Sequence, residues 1–256
     1  MKKKLLSILS ILALSVSILN PATAFADEVS TDLILINHGV PSEIVAIMPE
    51  EQKLELVNAD DFTYCGSNTI VDEINENTQG GKGMSTQGTI SSSQLSLTGY
   101  GFMYTSGGKK LAQVSAYYNW VQNPGWFLTD QIGITWDSSY YAPVDQGQWI
   151  VCQHQDLNGT NLTQTTSYDL LDISNSGFII DVDMVGNHTN FGTATAKLQL
   201  KSGASEPTNS QFYYKYAHIS IVPTIGLSLN TSVTGGIAVS ASVNVESLAS
   251  STTFQR

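Results

Sequence analysis

The sequence predicts a mainly β protein: an antiparallel β-sandwich or open barrel of about eight to ten short strands, preceded by a short helical N-terminal segment. Three observations carry this. Beyond Thr89 almost every stretch alternates apolar and polar residues with period two, as a strand buried on one face must. Gly, Asn and Pro breaks cut that pattern into short pieces. Helical spacing is confined to Thr31–Val57, so no helices are available to cross over between parallel strands. The organisation that follows is residues 1–26 as signal peptide, 27–60 as helical leader, 61–88 as connector and 89–256 as β domain.

Met1 is followed by Lys2, Lys3 and Lys4, an uncharged apolar run from Leu5 to Leu19, Pro21, and Ala24-Phe25-Ala26. This is the order of a secretory signal cleaved after Ala26, and the run is shorter than the ~20 apolar residues of a membrane span. The expected location is extracellular. In the leader, Thr31-Asp32 starts a helix and Gly39 stops it. Pro41-Ser42-Glu43 and Pro49-Glu50-Glu51 then place proline and acids where helix N-termini favour them. The run His38-Gly39-Val40-Pro41 through Lys53 resembles a helical leader of secreted proteins of Gram-positive bacteria, which implies a bacterial origin and no activity. Ser67–Gly88, rich in Asn, Thr, Gln and Gly, has little to bury and serves as the connector.

The strands come next. Phe102 and Tyr104 precede Ser106-Gly107-Gly108, and Ala112, Val114, Ala116, Tyr118 and Trp120 share one face after it, which predicts a hairpin. Ile132, Ile134 and Trp136 continue the alternation, as do Phe178, Ile180, Val182 and Met184. Ala194, Ala196, Leu198 and Leu200 repeat it, with Thr193, Thr195, Lys197 and Gln199 facing out. A last hairpin spans residues 225–245, where a loop of Thr234, Gly235 and Gly236 would pair Val233 with Ile237 and Leu229 with Ala241 and keep one face apolar.

After removal of the signal, eight basic residues face 22 acidic ones, a net charge of −14. Scattered cations on so acidic a chain exclude nucleic acid as a partner and disfavour adsorption to anionic lipid. Two cysteines, Cys65 and Cys152, in an oxidising compartment predict a disulfide between them. No GxSxG elbow, HExxH, P-loop or dinucleotide turn occurs, so no cofactor or metal is implied and the balance is against an enzyme. His154 with Asp156, His188, and Asp181 with Asp183 are the places where imidazole and carboxylate could converge; the strand alternation around the two aspartates favours a solvated face over a cation site.

All four Trp fall between Trp120 and Trp149. Trp120 and Trp136 belong to apolar faces, whereas Trp126, Tyr140, Tyr141 and Trp149 lie beside turns and are the candidate ligand-binding aromatics, since exposed rings stack on sugar faces. The sequence therefore points to a secreted, non-catalytic β-rich protein that recognises an extracellular glycan or cell-envelope component. Two alternatives stay open. The hairpin 225–245, uncharged until Glu246 and lined by Ser and Thr on one side, meets the requirement for a membrane-inserting pore strand pair. An extracellular hydrolase with an unrecognised site is the other.

Overall fold

A computed structural model describes residues 30–70, 88–90, 93–121, 129–204, 207, 209–219, 227–230, 236–239 and 245–255. The signal segment, most of the connector and Trp126 lie outside the described residues. Three short helices open the chain: α1 (Thr31–Asn37), α2 (Ser42–Ile47) and α3 (Glu50–Val57). The break after α1 falls at Gly39, whose φ of +88° suits glycine alone, and α2 and α3 each begin directly after a proline. No described helix is long and apolar enough to cross a membrane.

Fourteen strands follow among the described residues, more than sequence spacing suggested: β1 (Asp61–Thr69), β2 (Gly88–Thr89), β3 (Leu95–Ser106), β4 (Lys109–Trp120), β5 (Asp130–Thr135), β6 (Tyr141–Asp156), β7 (Leu162–Ser167), β8 (Leu170–Ser174), β9 (Gly177–Val182), β10 (His188–Leu200), β11 (Asn209–Ile219), β12 (Leu227–Asn230), β13 (Gly236–Val239) and β14 (Val245–Gln255). They form a sandwich of two six-stranded sheets, in the orders β1-β3-β4-β10-β6-β7 and β2-β14-β11-β5-β9-β8. All pairs are antiparallel except β14 with the short β2. The predicted β3–β4 hairpin closes through Gly107 and Gly108, both at positive φ, with Ser106 opposite Lys109. That is the two-residue turn whose twist matches its strands.

The core between the sheets takes the residues that alternation placed there: Ala112, Val114, Ala116, Tyr118 and Trp120 from β4, Ile132 and Ile134 from β5, Phe178, Ile180 and Val182 from β9, and Ala194, Ala196 and Leu198 from β10. A second apolar layer lies on the outer face of the first sheet. There Leu35, Val40, Ile44, Val45, Met48 and Leu56 of the helical segment meet Tyr100, Phe102, Tyr104 and Leu111. This overturns the expectation that the alternate residues of β10 face solvent, because Thr193 and Thr195 are buried under the helices. Thr193 donates its hydroxyl to the Ile47 carbonyl at 3.1 Å. Gln52 of α3, itself fully buried, donates to Ser115 Oγ at 3.0 Å and accepts from the Tyr100 hydroxyl at 2.9 Å. Polar side chains on that face satisfy one another in the dry interior instead of meeting water.

The predicted disulfide does not form: Cys65 and Cys152 are both unbridged thiols. Cys65 lies on β1 and Cys152 on β6, first and fifth in one sheet. Four interstrand spacings amount to about 19 Å, while a bridge tolerates a Cα separation of no more than ~7 Å.

The C-terminal hairpin is present with a different register. Leu229 pairs with Ile237 and Leu227 with Val239, a slide of four residues from the expected pairing, and residues 231–235 of its turn lie outside the described residues. An even slide keeps apolar residues opposite apolar ones. Strands β12 and β13 form a two-stranded sheet of their own against β5, β8, β9 and β11. On β9 and β11, Ile179, Ala217 and Lys215 alternate with core residues, so they point away from the core, and all three are buried.

Candidate functional site

Strand β6 leaves its ladder between Pro143 and Gln148. Leu198 of β10 pairs with Pro143 and Ala196 with Gln148, so Lys197 alone stands opposite the four residues Val144 to Gly147. A bulge of this kind bends a strand and re-aims its side chains. Three features hold it. Gln146 adopts a left-handed φ of 53°, unusual for a residue with a β-carbon. Gly147 sits where a β-carbon would come within 3.0 Å of both the Val144 carbonyl oxygen and Lys197 Cβ. The Gln148 amide donates to the Val144 carbonyl at 3.2 Å and to the Lys197 carbonyl at 3.3 Å, tying both sides of the loop together.

The bulge forms one wall of an open groove of about 940 Å³, whose other wall is the Tyr168–Leu170 link between β7 and β8, with Ile173 beyond it. Pro143, Val144, Leu170 and Ile173 supply apolar surface; Asp145, Gln146, Gln148 and Asp169 supply polar groups. Tyr168 is half exposed, and its hydroxyl donates to both carboxylate oxygens of Glu51 on α3, at 3.4 and 3.3 Å. Loss of hydration, and then the Glu51 charge, raise its phenol above the ordinary value. No Lys, Arg or His lines the groove among the described residues. The cation across the bulge, Lys197, is ion-paired with Glu55. The groove can therefore accept hydrogen bonds, stack an apolar face and attract positive charge.

A second constellation lies inside the sandwich at one end. Asp130 is fully buried and accepts from the Tyr216 hydroxyl on Oδ2 at 2.7 Å, while its Oδ1 meets His218 Nδ1 at 2.7 Å. Trp120 Nε1 donates to the Tyr216 hydroxyl at 3.0 Å, and the Trp120 ring meets His218 edge to face. Beside it, Asn190 donates to the carbonyls of Val185 and His188, so its oxygen is the group that meets His154 Nδ1 at 2.8 Å. His154 Nδ1 then carries hydrogen, and its Nε2 lies 3.4 Å from Asp183 Oδ2. Burial raises the Cys152 thiol above its ordinary range, the wrong direction for a nucleophile. Since Asp130, His154 and His218 are all buried, these groups bind the end of the core together and are not presented to a substrate.

Among the described residues, the sequence-predicted aromatics do not form an exposed face. Tyr141 opens β6 pointing inward, 1% exposed, against Phe212, with its hydroxyl 3.2 Å from Ser210 Oγ. Trp149 is 3% exposed, and Tyr140 is half-buried against the core. Trp126 lies outside the described residues. For Tyr141 and Trp149 this corrects the expectation of exposure: a turn nearby in sequence does not turn a strand residue outward. His154 meets Asp183 and not Asp156, whose carboxylate instead closes its own β6–β7 turn on Thr160 and Asn161. Asp181, on the other face, is half-buried; that partial burial raises its carboxyl, and a donor from Gln131 opposes the shift. The groove residues Asp145, Gln146, Tyr168 and Asp169 were not singled out by sequence. The available signal was Pro143 and Gly147 inside an otherwise regular strand pattern, which marks a bulge.

No protein-family model matches the chain, and no curated protein matches it in sequence. Among solved structures, one similar chain is ACE19, the collagen-binding subdomain of the Enterococcus faecalis surface protein ACE, at 5% identity and a TM-score of 0.34, covering 56% of this chain and 88% of that one. Another is the collagen-binding domain of the Erysipelothrix rhusiopathiae surface protein RspB, at 9% identity and a TM-score of 0.29, covering 64% of this chain and 67% of that one. With scores this low, the assignment to the antiparallel β-sandwich class rests on the strand pairing itself.

Proposed function

We propose that the chain is an exported bacterial binding module, without catalytic activity, that holds an extracellular glycan or cell-envelope component in the groove beside the β6 bulge. The observation that carries this is the groove's composition: a half-exposed tyrosine ring, carboxylates and amides that pair with hydroxyl groups, and apolar surface for the carbon face of a sugar. Export rests on the signal pattern of residues 1–26. The enclosed positions of His154, His218 and Asp130 weigh against hydrolysis by that constellation. A glycan array supplemented with purified cell-wall fragments tests the reading. Tyr168→Ala is expected to lower affinity for any array hit by at least about tenfold, in line with loss of an aromatic contact, with the melting temperature nearly unchanged. Undiminished binding by this variant would remove the groove from consideration.

One observation favours a second reading, in which the C-terminal hairpin enters membranes: β12 and β13 pair with each other and with neither large sheet. Release of dye from liposomes by the full chain would support it, and intact liposomes at saturating protein would count against it.

A further inference from the structure

We infer that the groove selects a cationic, amine-bearing saccharide over neutral and acidic ones; this rests on the groove being the ligand site. Two carboxylates, Asp145 and Asp169, line it, and a third, Glu51, meets the hydroxyl of its aromatic residue. Opposing positive charge is absent from the described lining, and Lys197 on the far side of the bulge is neutralised by Glu55. A chain with net charge −14 after export adds a field of the same sign. A uronic acid or phosphate polymer would enter against repulsion, whereas a protonated amine between Asp145 and Asp169 would gain attraction from both.

The same surface favours a sugar over a basic peptide. Its aromatic is a half-exposed ring held by Glu51, a platform for a sugar face. One bulge carbonyl, that of Val144, is already occupied by the Gln148 amide. The same wall presents the exposed side chains of Asp145 and Gln146, which suit hydroxyl and amine groups.

The experiment titrates the full chain, at about pH 6 where carboxylates are ionised and amines protonated, with a glucosamine oligomer, its fully N-acetylated counterpart, a polyuronate and oligolysine. The glucosamine oligomer is expected to bind at least roughly tenfold more tightly than the acetylated one, and to lose that advantage at high salt. The double variant Asp145→Asn, Asp169→Asn should erase the preference while still binding the acetylated oligomer and melting as the parent does. Equal or tighter binding of the acetylated oligomer or the polyuronate would overturn the inference and leave the groove reading standing. Oligolysine matching the glucosamine oligomer would also overturn it, by reducing the effect to unspecific charge. If Tyr168→Ala changed none of these affinities, the groove reading itself would fall.

Discussion

A β-carbon on residue 192 would stand 2.2 Å from the Val151 carbonyl oxygen and 2.8 Å from the Tyr118 hydroxyl, so the centre of β10 tolerates glycine only. Gly192 pairs with Tyr118 on one side and Cys152 on the other. Its missing side chain is the space that the buried phenol occupies. Gly192→Ala is expected to destabilise by about 2–3 kcal/mol, as overpacked cores do, or to prevent folding, as read from urea denaturation. At the surface, Asp156 holds its turn by accepting first from the Thr160 hydroxyl, then from the Thr160 amide and from Asn161, and its pKa is lowered from 3.8 to about 2. A depressed folded pKa means that the ionised turn is favoured above the ordinary value and that this preference fades as pH falls toward 2. An NMR titration should place the Asp156 carboxyl near 2, and Thr160→Val should move it back toward the ordinary range.

At the scale of elements, the helical segment behaves as the cover of a sheet. Leu56 of α3 is fully buried in the outer layer with Tyr100, Phe102 and Tyr104. Leu56→Ala should therefore cost about 2–5 kcal/mol, where a loosely tethered leader would lose almost nothing; chemical denaturation distinguishes the two. Sequence periodicity made the faces of β3, β4, β5, β9 and β10 legible, because period two reports which residues share a side. It does not report what that side meets. Thr193, Thr195 and Ser115 look like solvent-facing residues in sequence and are the polar bed for α2 and α3. The β6 bulge was hidden for a related reason: Tyr141 and Trp149 remain regular strand residues on either side of it, and only Pro143, Gln146 and Gly147 disturb the pattern. The register of the last hairpin escaped because any even slide satisfies the same apolar pairing.

For the whole molecule, the strand order is what the sequence could not supply, and the two cysteines show its effect. A disulfide is inferred from compartment and count, but feasibility is set by how many strands separate the partners. The folded protein is expected to carry two thiols and no bridge. Cys152, 2% exposed and with its thiol pushed up by burial, should resist a thiol reagent until denaturant is added, while the less buried Cys65 reacts first. Mass spectrometry of the alkylated, non-reduced chain checks this. The stacking of the sheets also separates roles in space: the Asp130–His218 pair is sealed inside the sandwich, and the groove opens where β7 hands the chain to β8 at the sheets' edges.

The bulge in β6 has a consequence for variation. On its N-terminal side Tyr141–Pro143 stay in register with Leu198–Leu200, and on its C-terminal side Gln148–Asp156 stay in register with His188–Ala196. The four residues between them carry no ladder bonds that the sheet depends on. The identity of residues 144–146 can change while both flanking ladders keep their partners, provided Gly147, which has no room for a β-carbon, and the flanking Pro143 and Gln148 are retained. The groove thus has one wall that behaves as an exchangeable cassette mounted on a fixed frame, so libraries that randomise residues 144–146 reshape the groove without redesigning the sandwich.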